Sequence, residues 1–371
     1  MTTAKYWNWQ QDHWPKFSWE RTEFQTKENV FLQASGVLVG IEKHLGDDDK
    51  LILLIDSLST EAVTTSEIEG EFINRDSVQS SFRRRFGLET DYRRVKPAEE
   101  GIAEMMVDLY QNYSEPLTHQ NLFRWHQMLL NARRDLDDVG AYRTHDDPMR
   151  VVSGSIDDPK IHFEAPPSHA IPKEMERFVR WFNDTSPGGK SALPPLTRAS
   201  IVHLYFVCIH PFEDGNGRIG RAITEKALAQ SLGKPTLLAL SETILKGRNK
   251  YYSALEQNNK SLAVDRWVEY FSDMILAAQN RTLRAMEFII QKTKFFDRYT
   301  DKFNKRQTKV LLRVFREGPD GFLGGLNAEK YISITQTSRA TATRDLAELV
   351  TLEAVTKSGT GKGTRYHLKL D

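Results

Sequence analysis

The stretch that most limits how this chain can fold runs from residue 197 to 232, where two helical patterns flank a loop rich in glycine and charge. Residues 197–209 are nearly all apolar, through Ile201, Val202, Leu204, Tyr205, Phe206, Val207 and Ile209. That pattern predicts a helix buried on most faces, ended by Pro211. Residues 218–232 place Ile219, Ala222, Ile223 and Leu228 on one apolar face and Gly233 as a stop, which predicts a second helix. In the loop, Gly215 and Gly217 flank Asn216, so the backbone is free to take positive φ and turn successive N–H groups inward around an anion. The second helix points its positive end at that nest. Arg218 and Arg221, three residues apart on one face, suit the oxygens of a polyphosphate.

Two further side chains complete the expected chemistry. Asp214 is a carboxylate beside an anion site, which makes sense with a divalent cation, Mg²⁺ or Mn²⁺, between carboxylate and phosphate. His210, at the mouth of the buried helix, suits a neutral imidazole that takes a proton from an incoming hydroxyl, and Phe212 reads as a core anchor for the loop. Taken singly, a His-Pro after a helix is a cap and Gly-Asn-Gly is a turn. Together, His210 to Arg221 match H-x-F-x-D/E-G-N-G-R-x-x-R without a gap, and the chain thereby resembles the Fic family.

The resemblance implies an all-helical core and transfer of AMP from ATP to a Tyr, Thr or Ser hydroxyl of a target protein, the chain itself included. Carried over by position, it implies His210 as the base, Asp214 as the metal ligand, and Gly215, Asn216, Gly217, Arg218, Ile219 and Gly220 as the nucleotide-binding run, with Arg221 on the γ-phosphate. Thr65 to Gly70 match the S/T-x-x-x-E-G/N pattern of the family's inhibitory helix, in the class where that helix precedes the core. Glu69 would then pair with Arg221, and Thr65 would belong to the same element. A carboxylate on that guanidinium repels the γ-phosphate and occupies its donors. As a bare pattern, Thr and Glu-Gly at helical spacing are also common on solvated helix ends.

Arg150 to Ser153 and Lys160 to Glu164 are short extended runs around a turn-rich insert, which predicts a β-hairpin. In the family such a hairpin is a flap over the active site that pairs with the target by strand addition, and Ile161, His162, Phe163 and Glu164 would lie over the nucleotide. Residues 249–259 resemble the family's second nucleotide-contacting segment, with Tyr251, Tyr252 and Asn259 flanking adenine. Tyrosines at helical spacing fit core packing equally well.

The rest of the chain bounds the reading. Fifty-one basic against fifty acidic side chains, a formal +1 over 371 residues, supply no field favouring nucleic acid or membrane overall. No apolar run reaches membrane-spanning length, no signal-peptide core is visible, and the one cysteine, Cys208, has no internal disulfide partner, which together suggest a cytoplasmic protein. Cysteine and histidine spacing offers no zinc set, and Gly188 to Ser191 lacks the first glycine of a P-loop. Four of seven tryptophans, Trp7, Trp9, Trp14 and Trp19, crowd the first twenty residues, as in an arm docked on the body or a surface for a dimer or target. Helices are expected over 31–43, 50–69, 98–113, 118–131, 172–182 and 263–294.

At the C-terminal end three more, 305–316, 327–334 and 338–350, precede a Gly-rich turn between extended segments, the order of a winged-helix (α+β) domain. Arg339, Thr341, Thr343 and Arg344 on its third helix and Lys357, Lys362 and Arg365 on its wing suit DNA phosphates or a docking protein. The fold class is thus mainly α, in three parts: residues 1–95, an arm and helical region with the inhibitory pattern; 96–295, the core with its hairpin flap; and 296–371, the winged helix. An AMP-removing enzyme, another phospho-group transferase, or a DNA-binding regulator with a nucleotide-sensing core are the rival readings.

Overall fold

The computed structural model describes residues 6–20, 22, 24–88, 94–155, 158–318, 321–322 and 324–370; of the turn-rich insert expected at 154–159, residues 156–157 lie outside them and the rest extends the two strands. Fourteen α-helices and two small antiparallel hairpins make up the described residues, as a mainly helical fold requires. The chain divides into two compact units, Met1–Val37 with Lys50–Arg281 and Leu38–Asp49 with Thr282–Asp371.

The first unit begins with a 3₁₀ turn at Asn8–Gln10, followed by α1 (Gln25–His44) up to Val37 and α2 (Asp47–Ile68) from Lys50 on, α2 carrying Thr65 to Ile68 at its end; residues 38–49 belong to the second unit. Then come α3 (Arg75–Arg85), α4 (Pro97–Gln111), α5 (His119–Leu130), the hairpin β1 (Arg150–Ser155) and β2 (Asp158–Glu164), and α6 (Ile171–Asp184). Central to it are α7 (Pro195–Ile209) and α8 (Asn216–Leu232), followed by α9 (Leu240–Lys246), α10 (Arg248–Asn258) and the long α11 (Asp265–Arg298), whose residues from Thr282 on belong to the second unit.

Helix α7 is buried on nearly every face, so its first-turn N–H groups have no water to satisfy them. Its N-cap is Pro194, which offers no side-chain acceptor; Glu28 of α1 substitutes, accepting from Leu196 N (3.0 Å), Thr197 N (2.8 Å) and Thr197 Oγ1 (2.9 Å). A carboxylate there also complements the helix dipole. Helix α8 packs closely on α7 because Gly220 has no side chain, and an added Cβ would lie 3.4 Å from both Phe206 and Val207. Helix α8 starts two residues before its expected beginning and ends on Gly233, whose φ of 69° makes the expected left-handed stop.

The second unit contains α12 (Lys305–Arg316), α13 (Ala328–Thr335), α14 (Arg339–Thr351) and the hairpin β3 (Val355–Ser358) with β4 (Arg365–Leu368). Each of the three helices opens on a side-chain cap, Asn304, Asn327 and Ser338 in turn. Buried Asp345 joins them, accepting from Arg306 Nε (2.7 Å) and Tyr331 Oη (2.9 Å).

Candidate functional site: an anion nest held by carboxylates

The loop between α7 and α8 is built before it is functional. His210 closes α7 in the left-handed region (φ 52°), a costly place for a non-glycine residue, and Gly215 opens α8 in the same region (φ 81°). Asn216 is buried and ties the loop across itself, its Oδ1 accepting from Phe212 N (2.9 Å) and its Nδ2 donating to Phe212 O (2.8 Å). Phe212 is fully buried and stacks on His126, with ring centroids 4.2 Å apart. His126 accepts from Gly140 N at Nδ1 (2.9 Å), which leaves Nε2–H to donate to Asp214 O (3.1 Å). Helix α8 has no side-chain N-cap, so its first N–H groups face the nest as anion donors.

Gly217 differs from its sequence expectation. It lies in the first turn of α8 and takes no positive φ; what it supplies is space, because a Cβ there would run into Glu69 Oε1. Ile219 is fully buried in the core and Gly220 serves the α7–α8 contact, so neither presents a side chain to the nest.

His210 is partly buried and lines a cleft of about 760 Å³ together with Glu69, Gly217, Arg221, Tyr252 and Asn259. Its Nδ1 lies 3.3 Å from Val207 O, an acceptor only, so Nδ1 carries the hydrogen and Nε2 keeps a lone pair. Burial first, and the nearby Arg143 guanidinium second among lowering causes, push its pKa down to about 4. Arg143 is itself buried and donates to His210 O (2.9 Å), Ser168 Oγ (2.8 Å) and Pro166 O (2.5 Å), which fixes the imidazole's backbone.

The two arginines of the nest are both buried and both already paired. Arg221 donates through Nε to Thr65 Oγ1 (2.6 Å) and through Nη2 to Thr65 O (2.9 Å) and Glu69 Oε1 (2.7 Å). Burial alone would lower its pKa, but Glu69 reverses this and the net direction is upward. Arg218 pairs with Glu71 Oε2 at 2.5 Å, and its buried Nε has no partner among the described residues. Gly70, with φ 82°, turns the chain after α2 so that Glu69 and Glu71, two residues apart, reach the two arginines. The pairing with Glu71 is invisible to the motif; the Glu-Gly-Glu spacing is the only trace it leaves in the sequence.

Asp214 is half exposed, accepting from Arg133 Nη1 (2.8 Å) and Gly215 N (2.5 Å). Among the described residues no cluster of three or more His, Cys, Asp or Glu could hold a metal by itself. A single accessible carboxylate fits Mg²⁺, which takes its remaining ligands from substrate phosphates and water.

The other end of the cleft is formed by α10 and the hairpin. Tyr252 is partly exposed, whereas Tyr251 is buried and its hydroxyl lies 2.7 Å from Nε2 of the fully buried His203. Asn259 Nδ2 donates to His162 O (3.0 Å), and its buried Oδ1 has no partner among the described residues. The hairpin forms over the expected segments with a bulge between Val151 and Val152; Phe163 points into the core while Ile161 stays exposed. His162 reaches Glu256 of α10 (2.8 Å), and Glu164 pairs with Arg150 (2.7 Å). The tryptophan arm is docked on its own unit: Trp7 is buried, and Trp9, Trp14 and Trp19 pack on the same core.

Comparison with known proteins gives the class. Residues 116–228 match the model of the Fic/DOC family, and residues 7–88 match a domain of unknown function, DUF4172. This chain therefore carries a Fic/DOC family domain. Over 86 residues it is 36% identical to the protein adenylyltransferase Fic of Drosophila yakuba, covering 23% of this chain and 16% of that protein. Over 102 residues it is 28% identical to the probable protein adenylyltransferase aq_aa38 of Aquifex aeolicus, covering 28% of each. The chain thus matches less than a third of the length of each of these curated relatives. In fold it resembles a Fic family protein from Desulfovibrio desulfuricans (TM-score 0.53, 20% identity, 93% of this chain and 96% of that one). It also resembles a Fic domain containing signaling protein from Bacteroides thetaiotaomicron (TM-score 0.52, 19% identity, 71% and 98%).

Proposed function

We propose that the protein is an ATP-dependent protein adenylyltransferase held in check by its own Glu69. The observation that carries this reading is His210, its Nδ1 committed to Val207 O and its Nε2 left without a partner among the described residues, lining one cleft with an arginine that a carboxylate occupies. In the active arrangement the phosphates of ATP lie in the nest, with Arg218 and Arg221 as clamps. The target hydroxyl gives its proton to His210 Nε2 as its oxygen bonds to the α-phosphorus; the bond from that phosphorus to the bridging oxygen breaks and pyrophosphate leaves. Such a transfer depends on positioning and charge stabilisation more than on covalent help. Asp214 would hold Mg²⁺, which when bound neutralises phosphate charge. At the base end, Asn259 Nδ2 is committed to the flap carbonyl, so its Oδ1 is left to accept from an exocyclic amine such as that of adenine.

Inhibition follows from the same pair. Glu69 fills the space that Gly217 leaves and takes an Nη2 donor, so a γ-phosphate on Arg221 would meet a like charge. Intact mass after incubation with ATP, for the parent and for Glu69→Gly, tests the reading: it expects AMP added to the variant. No AMP on either, with Glu69→Gly folded and a panel of candidate protein targets also unlabelled, would refute it. A pre-modified protein that loses AMP faster than it gains it would favour removal instead.

A second reading, carried by charge, is that the C-terminal unit binds duplex DNA. Residues 282–371 hold 17 basic against 10 acidic side chains, and with residues 38–49 of the same unit the balance is 18 against 14, while the whole chain is only +1. Arg339, Thr343 and Arg344 are exposed on α14, as are Lys357 and Lys362 on the β3–β4 hairpin. Retardation of a random-sequence duplex by the intact chain tests it.

A further inference from the structure

A two-stranded hairpin is marginal in water by itself, so the β1–β2 flap takes its position from whatever grips it. Strand β1 is exposed along its whole length and does not anchor it. Strand β2 is held through its backbone and ring at three successive residues, besides the side-chain contacts of Lys160 and His162 with Glu256 of α10. His162 O accepts from Asn259, the Phe163 ring packs edge-on against Trp7 (centroids 5.3 Å apart, planes at 75°), and Glu164 O accepts the indole N–H of Trp9 at 2.7 Å. Two of these grips come directly from the tryptophan arm. The third is braced by it, because Asn8 N donates to Asn259 O (2.9 Å).

The arm is anchored independently of the flap. Fully buried Asn8 donates through Nδ2 to Cys208 Sγ (3.2 Å), two residues before His210. Gln11 Nε2 donates to Lys260 O (2.6 Å), and Ser18 exchanges backbone bonds with Leu262 and Val264. One short segment therefore bridges the end of α7, which carries the proposed base, and the strand expected to hold the target.

We infer that Trp7, Asn8 and Trp9 are positioning residues that clamp the flap at a set height over His210, which assigns a role to the start of the region that matches DUF4172. The inference rests on the transferase reading for its consequence in catalysis, and on geometry alone for the clamp.

The experiment compares Trp9→Phe, which keeps a ring and removes the N–H donor, with the parent, both in the full chain carrying Glu69→Gly. Hydrogen exchange needs no activity: amides of 158–164 exchange about three- to tenfold faster in Trp9→Phe, the weight of one hydrogen bond, while α7 and α8 are unchanged. In AMP incorporation followed by intact mass, the maximal rate falls by a similar factor, and the ATP concentration for half-maximal rate stays the same. Unchanged flap exchange in Trp9→Phe and in Trp7→Leu/Trp9→Phe overturns the clamp. Faster flap exchange with an unchanged maximal rate overturns the positioning role. A Glu69→Gly parent that folds but transfers no AMP to itself or to any target sinks the transferase reading instead, and the exchange result still decides the clamp.

Discussion

Two sets of arginines in this chain live in opposite surroundings. Arg218 and Arg221 of the nest are 5% and 3% exposed, each held by a carboxylate that follows α2. Arg339 and Arg344 of α14 are exposed; Arg344 has no hydrogen-bond or ion-pair partner among the described residues, and Arg339 has only a loose contact with Glu329 at 3.6 Å. A buried guanidinium without a counter-charge is costly, so the nest must be neutralised by something even when no nucleotide is bound. Glu69 and Glu71 supply that charge, and on the proposed function a phosphate has to displace them. An exposed guanidinium is neutralised by water and salt, so its ligand competes only with counterions. Buried cations lend themselves to a switch; exposed ones lend themselves to salt-dependent adhesion.

That contrast is open to direct attack. The largest expected effect is on the base: His210→Ala in a Glu69→Gly chain should lower AMP incorporation about 10²–10⁴-fold, measured with α-labelled ATP. Next, Glu69→Gly alone should raise incorporation about tenfold or more over the parent, since it removes a charge-assisted hydrogen bond to a buried arginine. Equal rates would mean that the counter-charge does not compete with ATP. On the exposed side, replacing Arg339 and Arg344 together by Ala should weaken duplex binding and reduce the slope of log K against log salt by about 2, with AMP transfer unaffected.

The pH profile is a finer test of burial. A base must be neutral to act, and with a folded pKa near 4 His210 stays neutral down to that point. Glu69 is among the groups that raise this pKa, so activity of Glu69→Gly should hold through pH 6 and down to about 4 or below; a break near 6.5, the value of a solvated imidazole, would mean that the site is wet. The smallest effect is expected from Glu71→Gln, where the carboxylate is 39% exposed and the amide oxygen that replaces it can still accept from the buried Arg218: a rise of no more than ~5-fold, the weight of about one hydrogen bond.

The parts of the site legible in the sequence were those encoded by near neighbours. The turn at His210 to Gly215 and the two helices around it follow from apolar periodicity, Pro211 and glycine placement within about 35 residues. Glu69 meets Arg221 across 152 positions, and only the spacing from Thr65 to Gly70 pointed to it. Nothing local announced Arg133 on Asp214, 81 residues away, His126 under the loop, or Trp9 on Glu164, 155 residues away, because each contact is made by packing. Helix α3 escaped notice since only Val78 and Phe82 mark its apolar side among serines and arginines, and α9 and α10 blur into one segment around Gly247. Gly217 was legible as a glycine and misread as to its reason, because a requirement for space looks the same as a requirement for conformation until the neighbour is known.

The bond from Asn8 to Cys208 has a practical consequence. Burial pushes this thiol's pKa up to about 12, so as thiolate it is scarce at neutral pH, and as the chain's one cysteine it has no rival for a reagent. Its rate of alkylation is therefore a built-in gauge, in a single chemical signal, of how often this part of α7 is laid open, by release of Asn8 or through the cleft that Cys208 lines.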